Sequence, residues 1–125
     1  AETASGGEKS RVLLAIKAIF SKCDQANLLI FDEIDTGVSG KISDQIAAIM
    51  AELSENMQVF AITHLPQVAA KGTHHYKVFK KTEAGVTQTI LKKLSAEERA
   101  IEIAQMLSGN KTGVTAIAHA KELLK

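Results

Sequence analysis

Leu28-Leu29-Ile30-Phe31-Asp32-Glu33 is the stretch from which the fold is read. Four consecutive apolar residues spell a strand buried on both faces, as in the interior of a parallel sheet. The two acids that follow stand where open α/β sheets bind ligands, outside the carboxyl ends of the strands. Burying charge is costly unless a metal, a hydrogen bond or a reaction offsets it. An Asp-Glu pair at such a strand end therefore points to chemistry.

Downstream, the turn Thr36-Gly37-Val38-Ser39-Gly40 leads into a helix whose apolar face is Ile42, Ile46, Ile49, Met50 and Leu53. Gln58 to Thr63 predicts a second buried strand, ending in Thr63-His64. Strand, helix and strand in this order make a βαβ unit with parallel pairing. Upstream, Ala4-Ser5-Gly6-Gly7-Glu8 is a tight loop before a helix marked by Val12, Leu13, Ile16, Ile19 and Phe20. Beyond His64, Pro66 suits the first turn of a short helix. Tyr76–Lys80 and Val86–Leu91 flank Glu83-Ala84-Gly85 as a hairpin. Ser95-Ala96-Glu97-Glu98 is a capping box opening a helix that Ser108-Gly109-Asn110 stops, and a last helix runs from about Thr115 to Leu124. With no linker-like stretch or repeat, one compact unit is expected.

The 125 residues suit one domain with a single core, and 46% hydrophobic with 23% charged residues is a globular composition. Fifteen basic against fourteen acidic residues argue against a dedicated polyanion-binding module. The lone Cys23 forms no internal disulfide and, without a signal-like stretch, suggests a reducing cytoplasm. No run of about 18 apolar residues predicts a membrane span.

Neighbouring side chains in a strand point opposite ways, so Asp32 and Glu33 can divide two tasks. One can hold a hard cation such as Mg²⁺, and the other can take a proton from water in phosphoryl transfer. Ser5-Gly6-Gly7 permits close backbone approach at a helix N-terminus, a ready phosphate site, although an ordinary N-cap explains it as well. His64 ends the strand expected beside the one carrying the acids. Strands lie about 4.8 Å apart, so the three side chains can converge. His74-His75 has no ligand-spaced companion, and Lys77, Lys80, Lys81, Lys92 and Lys93 either touch DNA phosphates or protect an edge strand.

The ordered set is small-Ser-Gly-Gly-Glu before a helix, four apolars plus Asp-Glu, then four apolars plus Thr-His. It resembles the second half of an ABC-type ATPase head, with its signature loop, Walker B motif and switch histidine. Within that superfamily three stretches resemble the RecN family of SMC-like ATPases, which act in double-strand break repair. They are Ser5-Gly6-Gly7-Glu8-Lys9-Ser10-Arg11, Phe31-Asp32-Glu33-Ile34-Asp35-Thr36-Gly37-Val38-Ser39-Gly40 and Thr63-His64-Leu65-Pro66-Gln67-Val68-Ala69-Ala70. Glu102 to Gly109 and Ala118 to Leu124 resemble that family's C-terminus, so the likeness spans nearly the whole chain.

The resemblance implies an α/β fold over residues 1–125. This is the C-terminal lobe of an ABC-type head, with a mainly parallel core sheet, flanking helices and a β-hairpin. It implies that Asp32 holds Mg²⁺ through water, Glu33 polarises the attacking water and His64 senses the γ-phosphate. Ser5, Gly6 and Gly7, with Glu8, would contact ATP held by the opposite head. Ser39 and Gly40 form the D-loop part of that set, Ser39 standing where many ABC proteins carry Asp. Implied partners are the N-terminal lobe of the same head, a second head in a homodimer, and DNA. The implied location is the cytoplasm, at the nucleoid.

No Gly-x-x-x-x-Gly-Lys-[Ser/Thr] occurs in the chain, and at Gly40-Lys41 the next residue is Ile42. Nothing here cradles a β-phosphate, so the chain is expected to be a C-terminal piece of a longer protein and inactive alone as an ATPase. Two rival readings stay open at the sequence level. One is a non-catalytic binding or dimerisation module, and the other a Mg²⁺-dependent phosphoesterase using Asp32, Glu33 and Asp35.

Overall fold

The apolar run that opened the reading is a strand in the computed structural model, which describes residues 19, 27–33, 40–109 and 113–125. Strand β1, Leu28–Asp32, lies parallel to β2, Gln58–Ile62, with Leu28 beside Gln58 and Asp32 beside Ile62. Helix α1, Lys41–Ser54, joins them. The expected strand–helix–strand order is therefore present. Its ladder runs past both ends: Gln58 N–H donates to the Asn27 carbonyl at 2.9 Å, and Glu33 N–H to the Ile62 carbonyl at 2.9 Å.

Burial on both strand faces is not what the structure shows. Phe31 is buried and Leu29 and Val59 are half-buried, packed with Ile46, Ala47 and Met50 of α1. The alternate residues Leu28, Ile30, Phe60 and Ile62 are 49–64% exposed. Among the described residues a single helical layer covers one face of the pleat, and the alternation of strand side chains assigns the rest to the other. The apolar run was a correct strand signal. Its two-sided burial was not realised among the described residues.

The face of α1 that packs is the one its spacing predicts. Ile46 and Met50 are buried, and Ile42, Ile49 and Leu53 pack around them. Burying each such side chain is worth roughly 1.5–3 kcal/mol. Helix α2, Pro66–Lys71, adds Val68 to the same core. Pro66 fits its first position because the N–H that proline lacks has no partner in a first turn anyway.

Where the sequence reading expects one unit, the chain packs as two, dividing between Lys71 and Gly72. No change of composition marks the division because the connection is too short to have a composition of its own. The second unit holds strands β3, Tyr76–Glu83, and β4, Val86–Lys93, paired antiparallel. Both strands run longer than the apolar patches alone suggest, since Ala84 (φ 49°) and Gly85 (φ 78°) make a two-residue turn with both φ values positive. Such a turn matches strand twist and keeps pairing tight up to the bend. Helices α3, Ala96–Ser108, and α4, Val114–Leu123, pack on each other, and Ile103, Ala104 and Ala120 are fully buried.

The capping box is built as read. Glu98 N–H donates to Ser95 Oγ at 3.2 Å, and Ser95 N–H donates to Glu98 Oε2 at 3.0 Å. Two orphan amides of the first turn are thereby satisfied.

Candidate functional site

Asp32 and Glu33 stand at the carboxyl end of β1, and the chain leaves β2 through Thr63 and His64. In-register pairing of Asp32 with Ile62 brings the two strand ends side by side, at the roughly 4.8 Å spacing of a sheet. The expected neighbourhood of the acids and the histidine thus follows from the ladder itself. Asp32, Glu33 and His64 are all exposed.

Local hydrogen bonds fix the exit from β2. Leu65 N–H donates to Thr63 Oγ1 at 2.9 Å, and Ala69 N–H to the Leu65 carbonyl at 3.1 Å. The threonine hydroxyl thus bends the chain around His64 and sends it directly into α2. Thr63 is more than the end of a β-rich run: it sets the turn that displays the histidine.

Glu33 lies at φ 47°, in the left-handed region where a residue with a Cβ is strained by about 1–2 kcal/mol. Its N–H still completes the ladder to Ile62. Nothing in the sequence signals this, because left-handed backbone is ordinarily marked by Gly or Asn. Gly40 does carry such a signal. At φ 48° and ψ −115° it caps α1, and its carbonyl accepts from Asp44 N–H at 3.3 Å. A Cβ there would meet no atom within 4 Å, so the need for glycine is in the backbone and not in the space.

Ser43, in the first turn of α1, was not singled out by the sequence. It is buried to 1% exposure, and its Oγ has no hydrogen-bond partner among the described residues. A serine between apolar helix positions gives no warning of this. Ser5, Gly6, Gly7, Glu8 and Ser39 lie outside the described residues, as does Asp35 of the phosphoesterase reading. His74 and His119 are exposed.

The donor set at the β1 end is carboxylate oxygen, which suits a hard cation held directly or through water. Among the described residues no three His, Cys, Asp or Glu side chains form a metal-holding group. No helix among the described residues is long and apolar enough to cross a membrane.

No protein-family model matches the chain. Curated relatives do. The chain is 48% identical over 124 residues to the DNA repair protein RecN of Bacillus subtilis, covering 99% of this chain and 22% of the relative. It is 44% identical to RecN of Vibrio cholerae, over 99% of this chain and 22% of that protein. RecN of Streptomyces coelicolor is 44% identical over 100% of this chain and 22% of its own length. The chain therefore spans about a fifth of the relatives it matches. One solved structure comes from work on ATP-driven dimerization and DNA-stimulated activation of SMC ATPases. It superposes with a TM-score of 0.62 at 26% identity, over 86% of this chain and 64% of its own. An Smc head domain with coiled coil and joint from Pyrococcus yayanosii gives a TM-score of 0.58 at 26% identity, over 99% of this chain and 20% of its own. Homology along almost its whole length, joined to a shared SMC-head architecture, identifies the chain as a counterpart of the C-terminal region of RecN proteins.

Proposed function

We propose that the chain is the C-terminal lobe of an SMC-like ATPase head in a DNA double-strand break repair protein. In this reading it supplies the Walker B acids, the switch histidine and the signature loop. The observation that carries it is the juxtaposition of Asp32-Glu33 with Thr63-His64 on adjoining ends of two in-register parallel strands. Asp32 would hold Mg²⁺, which when bound would offset charge on the phosphate oxygens. Glu33 orients and deprotonates the attacking water, and His64 contacts the γ-phosphate. Ser5, Gly6, Gly7 and Glu8, with Ser39 and Gly40, reach ATP held by the opposite head of a homodimer.

The open face of β1 and β2 supports a partner. Leu28, Ile30, Phe60 and Ile62 form an exposed apolar surface on a sheet of two described strands. The N-terminal lobe carrying the P-loop is the proposed cover, and the DNA contact belongs to the whole protein. The absent P-loop means that the 125 residues alone neither bind ATP tightly nor turn it over.

Glu33→Gln in the whole protein tests the assignment. ATP binding is expected to persist while hydrolysis falls by about 10² to 10⁴, the usual contribution of a general base. Wild-type turnover in that variant removes Glu33 from the role. Micromolar ATP affinity of the isolated 125 residues by calorimetry would remove the division of the site between lobes.

A further inference from the structure

The five hairpin lysines, a single cluster in sequence, are sorted by the fold. Strand alternation puts Lys77, Lys81 and Lys92 on one face with Phe79 and Ile90. There Lys77 pairs with Glu102 and Lys92 with Glu98, one turn apart on α3, while Lys81 pairs with Glu83. The other face carries the register pairs Tyr76–Lys93, Val78–Leu91 and Lys80–Thr89. Val78 and Leu91 are 64% and 66% exposed, and Tyr76 is 48% exposed. No carboxylate among the described residues pairs with Lys80 or Lys93.

This open face repeats the composition of the opposite face, whose Lys77 and Lys92 pair with glutamates of α3: lysines beside an apolar cross-strand pair. The difference is that no carboxylate among the described residues pairs with its lysines. We propose that it docks an acidic amphipathic helix of another polypeptide, with its apolar stripe on Tyr76, Val78 and Leu91 and its carboxylates on Lys80 and Lys93. The two lysines are separated by four strand positions, about 14 Å along the hairpin. Glutamates seven or eight residues apart lie on the same side of one helix and span roughly 10–12 Å, a distance that two flexible lysine side chains bridge. A second copy of the same face is a poor occupant, since it brings lysine to lysine. Nucleic acid is poorer too, because two cations around an aliphatic centre do not make a phosphate track.

The probe is a fluorescein-labelled, stapled helical peptide with two glutamates about eight residues apart and leucines between them. It is titrated into the 125-residue chain and followed by anisotropy and by amide shifts of the hairpin. Saturable binding with shifts at β3 and β4 is expected, weakened about tenfold or more by K80E/K93E and by glutamine in place of the peptide's glutamates. Val78→Thr with Leu91→Thr, which keeps strand propensity, is expected to abolish it while circular dichroism stays unchanged. Overturning results are no binding at millimolar peptide, equal binding of the glutamine peptide, or indifference to K80E/K93E. Tighter binding of a single-stranded oligonucleotide, or self-association lost in K80E/K93E, would also overturn the proposal.

Discussion

Replacing Glu33 by Gly and, separately, by Ala measures the backbone strain at the end of β1. Both substitutions remove the same side chain, so every contact that it makes cancels in the comparison. At an ordinary position Ala is the more stable of the two by roughly 0.5–1 kcal/mol, because Gly loses more backbone entropy on folding. At φ 47° the Cβ of Ala costs about 1–2 kcal/mol that Gly avoids. Subtracting the entropic handicap leaves Gly ahead by about 1 kcal/mol. The sign is reversed from the usual order. Native-state hydrogen exchange of the β1 and β2 amides is the suitable assay, because it reads this unit separately from the hairpin unit. The Gly variant is expected to show protection about fivefold higher than the Ala variant, the factor that 1 kcal/mol gives at 25 °C. Equal protection, or higher protection in the Ala variant, would refute the claim that position 33 is strained.

His75 sits among Arg99, Lys77 and Glu102, and its pKa is lowered from the ordinary 6.5, first by burial and then by the Arg99 charge. A base with a depressed folded pKa binds fewer protons folded than unfolded. Its contribution is therefore intact above about 6.5 and is lost as the pH falls through the folded value. The hairpin unit should weaken over that window in urea titrations, and His75→Gln should flatten the slope; an unchanged slope would remove His75 as its source. Ser95→Ala deletes one arm of the capping box and is expected to cost about 1 kcal/mol, read as faster amide exchange in the first turn of α3.

Most of the fold was legible because each element carried a local signal. The four apolar residues of β1, the spacing of Ile42, Ile46, Met50 and Leu53, and the Ser95–Glu98 box each correspond to an element within a residue or two. The site was legible in part. The parallel pairing follows from the βαβ order, so the adjacency of the strand ends that carry Asp32 and lead to His64 could be anticipated. The openness of Leu28, Ile30, Phe60 and Ile62 could not, since an apolar run does not state whether one layer or two will cover it. Nor could the division of the lysines, because a charge run in sequence does not reveal strand parity until the register is known.

Strain at Glu33 also changes the reason for assigning the two acids different tasks. Pleat alternation places Asp32 with Leu28 and Ile30 on the open face of β1, and it stops there. The next residue leaves extended conformation at φ 47° while its N–H remains tied to Ile62. The separation of Asp32 from Glu33 is therefore a property of the turn and not of the strand. A left-handed position with a ladder bond is one where Gly or Asn serves folding better than Glu. A carboxylate kept there is better explained by chemistry than by stability, the direction in which a backbone outlier can legitimately be read. If so, Glu33→Gly should raise protection of β1 and β2 relative to Glu33→Ala while, in the whole protein, both are as slow in hydrolysis as Glu33→Gln. Stability and turnover would then move independently at one residue, which a purely structural role for Glu33 does not allow.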